Sequence, residues 1–293
     1  MPKQKSYAVA VTGMNGQLGR ELALLAPEHP QFRFQFLSRE NFPLDDAEKM
    51  GAYLKNNPTD YLINCAAYTA VDKAESEKEK AFQINGEAAG ILADYLSRQG
   101  GRLIQISTDY VFDGQSSKPL DETAPTRPLN IYGASKLRGE QLAMANNLQT
   151  LVIRTSWLYS SFGNNFVKTM LRLMKTQAEV RVVSDQLGSP TYAADLAAAI
   201  LKILSAGKFI PGIYHYSNEG ETSWYAFAEE IKKITGSSCT VSPVASSGYA
   251  TAAKRPAYSL LDKSKIKRDY QVSIPDWKTS LAVCLNILLR SEV

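Results

Sequence analysis

The chain has few of the residues that build disulfide scaffolds or metal sites: three cysteines (Cys65, Cys239 and Cys284) and two histidines (His29 and His215) in 293 residues. The cysteines are odd in number, widely spaced and without a Cys-x-x-Cys pair, which argues against a disulfide framework and a structural zinc. Cys65 stands in an apolar stretch and reads as a small buried hydrophobe. The histidines receive no chemical role, and no acidic cluster argues for a metal. No apolar run is long enough to cross a bilayer. Residues 1–6 lead into a strand-like run without a signal-peptide cleavage pattern, so no export signal is read and the expected compartment is the cytoplasm. A strong charge excess is missing too. The net charge is +4 with both signs interspersed, which leaves no nucleic-acid footprint but suits an anionic small ligand. Neither internal repeats nor a linker rich in Pro, Gly or Ser divides the chain.

What is there is an ordinary globular composition, 44% hydrophobic and 21% charged, at a length where a single core begins to split. Apolar runs alternate with amphipathic stretches through the first half. Strands are predicted at 7–11, 32–37, 61–64, 102–107 and 150–155. Helices are predicted at 17–25, 46–56, 75–98 (stopped by Gly100-Gly101) and 132–146. Beyond Trp157 the rhythm becomes irregular: helix-like at 166–175, strand-like at 179–184, helix-like at 193–205, then segments punctuated by Gly and Pro. This pattern predicts an α/β protein with a doubly wound parallel sheet and a smaller α/β substrate-binding lobe. Residues 1–155 are expected to form the first domain and 156–293 mainly the lobe, with some segments returning to the first domain.

Gly13, Gly16 and Gly19 stand at G-x-x-G-x-x-G spacing directly after the first strand and at the start of a helix. A dinucleotide needs this: a tight turn at Gly13, backbone close to the pyrophosphate near Gly16, tight helix packing at Gly19, and a helix N-terminus facing the anion. An ordinary glycine-rich turn has the same letters. The second strand ends Leu37-Ser38-Arg39, with an arginine where an acid would bind a ribose 2′-hydroxyl, which favours NADPH and keeps NADH as the alternative. Arg39 is equally compatible with a solvated surface charge.

Tyr132 and Lys136 form the one Tyr-x-x-x-Lys pair of the chain, on one face of a predicted helix. Ketone reduction leaves negative charge on oxygen, so a positioned acid must deliver a proton while other donors hold that oxygen. Tyr132 is the candidate acid and Lys136 the cation that lowers its pKa. Thr108, with Ser107 beside it at the end of the fourth strand, is the further donor.

Taken jointly, several segments resemble the extended short-chain dehydrogenases, and within them the dTDP-4-dehydrorhamnose reductase family. They are 13–19, Asn64-Cys65-Ala66-Ala67-Tyr68-Thr69 and its continuation to Glu75, Ser107-Thr108-Asp109-Tyr110, and Asn130-Ile131-Tyr132-Gly133. Further matches are Arg154-Thr155-Ser156-Trp157, 163–170, 185–191 and Arg255-Pro256-Ala257-Tyr258. The resemblance covers nearly the whole chain and implies a Rossmann domain. It implies NADPH-dependent reduction of dTDP-4-dehydro-β-L-rhamnose to dTDP-β-L-rhamnose, with Thr108, Tyr132 and Lys136 as the catalytic set. Cofactor contacts carried over are Gln17, Leu18, Asp45, Ala66, Ala67 and Tyr68 with the Gly13 turn; substrate contacts are Thr69, Thr108, Asp109, Trp157, Asn165 and Arg255. As residues alone, Trp157 equally suits a core, Asn165 a helix cap and Arg255 a loop charge. The expected partner is a nucleotide sugar, and a homodimer is compatible with the chain. Two alternatives share the motifs: another nucleotide-sugar enzyme of this type, an epimerase or dehydratase, and a catalytically silent NADP-binding regulatory subunit.

Overall fold

The computed structural model of the chain describes residues 6–249 and 251–290; the extreme ends of the two expected domains, 1–5 and 291–293, lie outside the described residues. Its centre is a parallel sheet of six strands. Five come from the first half: β1 (Tyr7–Thr12), β2 (Phe32–Leu37), β3 (Tyr61–Asn64), β4 (Arg102–Thr108) and β5 (Thr150–Thr155). The sixth, Gly212–His215, returns from the second half and pairs with β5, Ile213 beside Val152. The spatial order is Gly212–His215, β5, β4, β3, β1, β2. The chain therefore runs from β1 outward to β2 and then back across β1 to β3. Where the order reverses, the strand ends Thr12 and Asn64 stand side by side, and a crevice opens beyond them.

The strands are covered on both faces, which is why they read as continuous apolar runs. Val9 and Val11 point to one face, packing with Leu18 and Leu22 of α1 (Gln17–Leu25) and with Leu196 and Ile200 of helix Ala193–Ser205. Ala10 and Leu62 point to the other. There they meet Met50 and Leu54 of α2 (Ala47–Asn56) and Leu92 and Leu96 of a later helix. A second core gathers Val167 and Met170 of helix Phe166–Thr176, the parallel strand pair Glu179–Val183 and Thr240–Val244, and helices Trp224–Thr235 and Trp277–Arg290.

Two expectations are corrected. The single helix predicted at 75–98 is instead α3 (Val71–Ala74), a break, and then α4 (Lys78–Phe82), a π-turn at Gln83–Glu87 and α5 (Ala88–Gln99), stopped by Gly100 at φ +70°. The wide turn carries Asn85 inward, where its side chain pairs with loop backbone. The segments beyond 205, read only as Gly/Pro-punctuated, contain regular elements. Their signal is weak because it is tertiary: Pro243 lies inside a strand, and Gly212–His215 follows Pro211 and is strand only because β5 supplies its partner. The helix predicted at 132–146 is α6 (Ile131–Asn146), capped by Asn130.

Candidate active site

The glycine turn closes as its spacing requires. The Gly16 N–H donates to the Gly13 carbonyl at 2.9 Å. Gly13 is at φ +73°, and a Cβ there would come within 2.8 Å of the Ala66 N; at Gly19 a Cβ would lie 2.3 Å from the Gly13 carbonyl oxygen. α1 begins at Gln17 after Gly16, which supplies no side-chain cap, and its first turn carries no acid, so its first N–H groups are left for an anion in the crevice. A ladder of buried polar side chains fixes the loops beside it. The Thr12 hydroxyl donates to the Asn64 Oδ1 (2.6 Å) and accepts from the Ala66 N–H (3.1 Å), and the Asn64 Nδ2 donates to the Gln105 Oε1 (2.8 Å). Asn85 continues the scaffold: it bonds both the N–H (2.8 Å) and the carbonyl (3.0 Å) of Tyr68 and donates to the Ser135 hydroxyl on α6 at 3.0 Å.

These elements bound a cleft of about 600 Å³. Its wall contains Gly13, Gly16, Gln17, Leu18, Gly19, Ser38 and Arg39. It also contains Asp45, Ala66, Ala67, Tyr68 and Thr69, so the residues expected at the cofactor are brought together, with Thr69 among them. Arg39 does not stand free. Its exposed guanidinium pairs with Asp45 at 3.1 Å at the mouth of the cleft.

A second cleft of about 780 Å³ lies between Tyr110, Leu129 and Arg255 on one side and Phe166, Met170, Val182 and Trp224 of the second core on the other. Thr108, Tyr132 and Lys136 are in the lining of neither cleft; Ile106 of β4 lines the smaller and Tyr110 the larger, and Thr108, the last residue of β4, lies between those two in the chain. The Tyr132 ring packs edge-on to Tyr110 at 5.7 Å, and its phenol lies close enough to the Thr108 hydroxyl for that group to oppose the rise in its pKa. The Lys136 Nζ donates to the Ile106 carbonyl at 2.6 Å. Asn130 sets the start of α6 by accepting from the Gly133 N–H at 2.7 Å, and a Cβ on Gly133 would lie 2.1 Å from the Tyr110 carbonyl oxygen.

Behind Lys136, on the same face of α6, lies Glu140. It receives the Arg154 Nη2 at 2.6 Å, the Arg154 Nε at 2.9 Å and the Ser107 hydroxyl at 2.5 Å. Burial pulls the Lys136 ammonium down to about 8 against the fields of Glu140 and Cys65. Burial also pushes the Tyr132 phenol up to about 12, only partly opposed by the Thr108 hydroxyl. Contrary to the expectation, Lys136 is not among the groups that shift Tyr132: desolvation sets the direction and the charge of Asp109 adds to it, while the ammonium is held on the Ile106 carbonyl. Asp109 is pushed up to about 6 by burial, against the hydroxyls of Ser259 and Thr108.

The remaining expected residues divide. Arg255 lines the larger cleft but is held by Asp72, its Nη2 2.7 Å from the Asp72 Oδ2, which clips the C-terminal segment to α3. Trp157 stacks on Trp224. Asn165 lines neither cleft: it caps helix Phe166–Thr176 and donates to the Gln17 Oε1 (2.9 Å) and the Ser160 carbonyl (2.7 Å). Gln17 is thus braced from below. Asn64, Gln105, Asn85, Glu140 and Trp224 were not anticipated. Polar residues inside otherwise apolar strands were the legible signal for the first two. Among the described residues no group of three or more His, Cys, Asp or Glu could hold a metal ion, and no helix is long and apolar enough to cross a membrane.

A doubly wound sheet with a glycine turn at its switch point, and Tyr132 and Lys136 on one helix beside Thr108 at the end of β4, define an oxidoreductase of the short-chain dehydrogenase class. Residues 7–290 match the family model described as RmlD substrate binding domain. The dTDP-4-dehydrorhamnose reductase of Burkholderia thailandensis is 39% identical over 300 residues, covering 96% of this chain and 99% of that protein. That of Sinorhizobium fredii is 41% identical, covering 93% and 94%. The crystal structure of the Bacillus anthracis dTDP-4-dehydrorhamnose reductase in complex with NADP superposes with a TM-score of 0.92 at 37% identity, covering 96% of this chain and 99% of that one. The chain belongs to the dTDP-4-dehydrorhamnose reductase family.

Proposed function

We propose that the chain reduces the 4-keto group of dTDP-4-dehydro-β-L-rhamnose to dTDP-β-L-rhamnose with NADPH, and that Thr108, Tyr132 and Lys136 carry the chemistry. The observation behind the assignment is the Tyr132 phenol set near the Thr108 hydroxyl at the end of β4, with the buried Lys136 ammonium one helical turn behind it. The smaller cleft suits a dinucleotide: α1 offers an uncapped N-terminus, and Gly13 and Gly19 leave no room for a side chain where a pyrophosphate would approach. NADPH, when bound there, supplies the hydride that reduces the carbonyl carbon. The Gly13 turn, Gln17 and Leu18 would hold it at the helix start, Ala66, Ala67 and Tyr68 along the cleft, and Ser38, Arg39 and Asp45 at its mouth.

In the proposed mechanism Tyr132 and Thr108 both direct their hydroxyls to the substrate carbonyl oxygen, Thr108 turning from the Asp109 Oδ1 to which it donates at 3.1 Å. Tyr132 then delivers its proton to the oxygen as negative charge develops there, and Thr108 keeps its hydrogen bond. Lys136 stabilises the resulting phenolate, and solvent restores the Tyr132 proton. Asp109 and Trp157 would hold the sugar, and Arg255, released from Asp72, would meet the negative charge of the nucleotide in the larger cleft.

The proposed division runs at residue 155, with Gly212–His215 and helix Ala193–Ser205 belonging to the first domain by packing. The cytoplasm is the proposed compartment, supported by cysteines that are all unpaired. The test is absorbance-monitored NADPH oxidation with dTDP-4-dehydrorhamnose. One NADPH consumed per dTDP-rhamnose formed supports the reading. Conversion of a nucleotide sugar without net loss of NADPH overturns it in favour of an epimerase or dehydratase, and tight NADPH binding without turnover in favour of a silent subunit.

A further inference from the structure

Trp157 has a left-handed backbone, φ +48°, which a bulky side chain holds only when its surroundings over-determine it. The register that sets Thr155 of β5 beside Thr108 of β4 makes Trp157 leave the sheet at the edge where the Thr108–Tyr132 pair lies. The backbone around it is tied. The Ser156 hydroxyl donates to the Ser189 carbonyl at 2.6 Å, the Thr155 and Thr191 hydroxyls meet at 3.0 Å, and the Thr191 N–H donates to the Trp157 carbonyl at 3.3 Å. The ring is held as well. One face lies on the Trp224 indole, with centroids 3.8 Å apart and planes 14° from parallel.

Another part of the ring meets Gly188, where a Cβ would come within 3.1 Å of the Trp157 Cζ2 and 2.9 Å of the Ser259 Oγ. Ser259 in turn lies near Asp109, the neighbour of Thr108, so the indole is packed close to the residues that border the reacting edge. Aromatic rings left to themselves prefer offset or edge-on pairs, so this nearly superposed stack is imposed by the elements that carry it. Trp224 is held independently. It opens helix Trp224–Thr235, whose cap Ser223 accepts from the Ala226 N–H at 3.1 Å, and Phe166 packs on it at 4.7 Å. It also lines the larger cleft, and it takes no part in the wall of the smaller one.

We infer that Trp224 is the positioning residue for Trp157: its indole keeps the Trp157 ring in its left-handed seat and so sets the affinity for the nucleotide sugar, with no share in cofactor binding. The inference rests on the proposed contact between Trp157 and the sugar. Gly188 completes the seat from the other side.

The test compares Trp224→Leu, Trp224→Phe, Gly188→Ala and Trp157→Phe in the full-length enzyme. The stacked indoles form a coupled pair visible in near-ultraviolet circular dichroism, while the third tryptophan, Trp277, packs apart on Phe227. Trp224→Leu is expected to abolish the coupled band and raise KM for dTDP-4-dehydrorhamnose about tenfold or more, with the NADPH Kd unchanged. Trp224→Phe, which keeps a stacking ring, is expected to return KM to within about threefold of wild type. Gly188→Ala, which leaves Trp224 in place and crowds the Trp157 ring, is expected to raise KM in the same direction. If Trp224→Leu loses the band yet keeps the wild-type KM while Trp157→Phe raises it, the inference is overturned and the Trp157 contact stands. If Trp157→Phe also keeps the wild-type KM, the contact itself fails. Equal weakening of NADPH and substrate by Trp224→Leu, or a wild-type KM in Gly188→Ala with the band displaced, also overturns the inference.

Discussion

Replacing Lys136 by methionine removes an ammonium that the fold holds at a cost. The side chain is 4% exposed, and its pKa is pulled from 10.5 to about 8, chiefly by burial. The folded-state pKa lies below the unfolded one, so between these values the unfolded chain binds more protons and stability rises with pH. Below about pH 8 the full penalty is present, on the order of 3 kcal/mol at 1.36 kcal/mol per unit. Methionine removes it and deletes the Nζ bond of 2.6 Å to the Ile106 carbonyl, which keeps the Gln105 Nε2 as a donor at 3.1 Å. Losing one hydrogen bond from an acceptor that keeps another costs about 0.5–1.5 kcal/mol. Glu140 keeps Arg154 and Ser107 as partners. At pH 7 the variant is therefore expected to be about 1.5–2.5 kcal/mol more stable than wild type, the difference of those two terms. Near pH 10.5, where the wild-type lysine is neutral, the order should reverse by about 0.5–1.5 kcal/mol. Turnover at pH 7 should fall by about 10²-fold or more, because the proposed phenolate loses its cation. Paired thermal melts at the two pH values and NADPH oxidation read all three quantities. A variant destabilised by more than about 2 kcal/mol at both pH values would refute the reasoning, since the lysine would then be structural and its charge not costly.

Three further outcomes are expected. Tyr132→Phe should lower kcat by about 10²- to 10⁴-fold with NADPH binding preserved, and near wild-type turnover in a folded variant removes the tyrosine as proton donor. Asp45→Asn frees the exposed Arg39 guanidinium and should tighten NADPH by up to about fivefold, the scale of an exposed ion pair, while Arg39→Ala should weaken NADPH about tenfold. NADH titrations are the control, and equal changes for both cofactors exclude a 2′-phosphate contact by Arg39. Gly13→Ala adds a Cβ 2.8 Å from the Ala66 N at φ +73°, so it should cost about 1–2 kcal/mol of stability from backbone strain alone and weaken NADPH more than tenfold. Calorimetric titration giving wild-type affinity would place the pyrophosphate elsewhere.

Much of the frame was legible because the signals were local. β2 (Phe32–Leu37), β3 (Tyr61–Asn64), β5 (Thr150–Thr155), α1 (Gln17–Leu25) and helix Ala193–Ser205 begin and end where apolar period, glycine and capping residues indicate. Gly13, Gly16 and Gly19 announced a tight turn, and at Gly13 and Gly19 a side chain would clash with backbone. Asn165 was legible as a helix cap from its place before an amphipathic run, and the structure puts it in that role.

What the sequence by itself determined was the order of strands and helices, the dinucleotide turn and the Tyr132–Lys136 spacing, since each depends on residues within a few positions of one another. Only the tertiary structure decided which distant groups meet. The ladder from Thr12 through Asn64 to Gln105 exists because β1, β3 and β4 are neighbours in the sheet. Asn85 reaches the Tyr68 backbone because a π-turn rotates it inward. Trp157 meets Trp224, and Arg255 meets Asp72, across large sequence separations. The direction of the Tyr132 shift was likewise a tertiary outcome. Spacing along a helix fixes that a lysine is one turn away, whereas the desolvation that sets the direction depends on how many atoms from the rest of the chain close over the phenol.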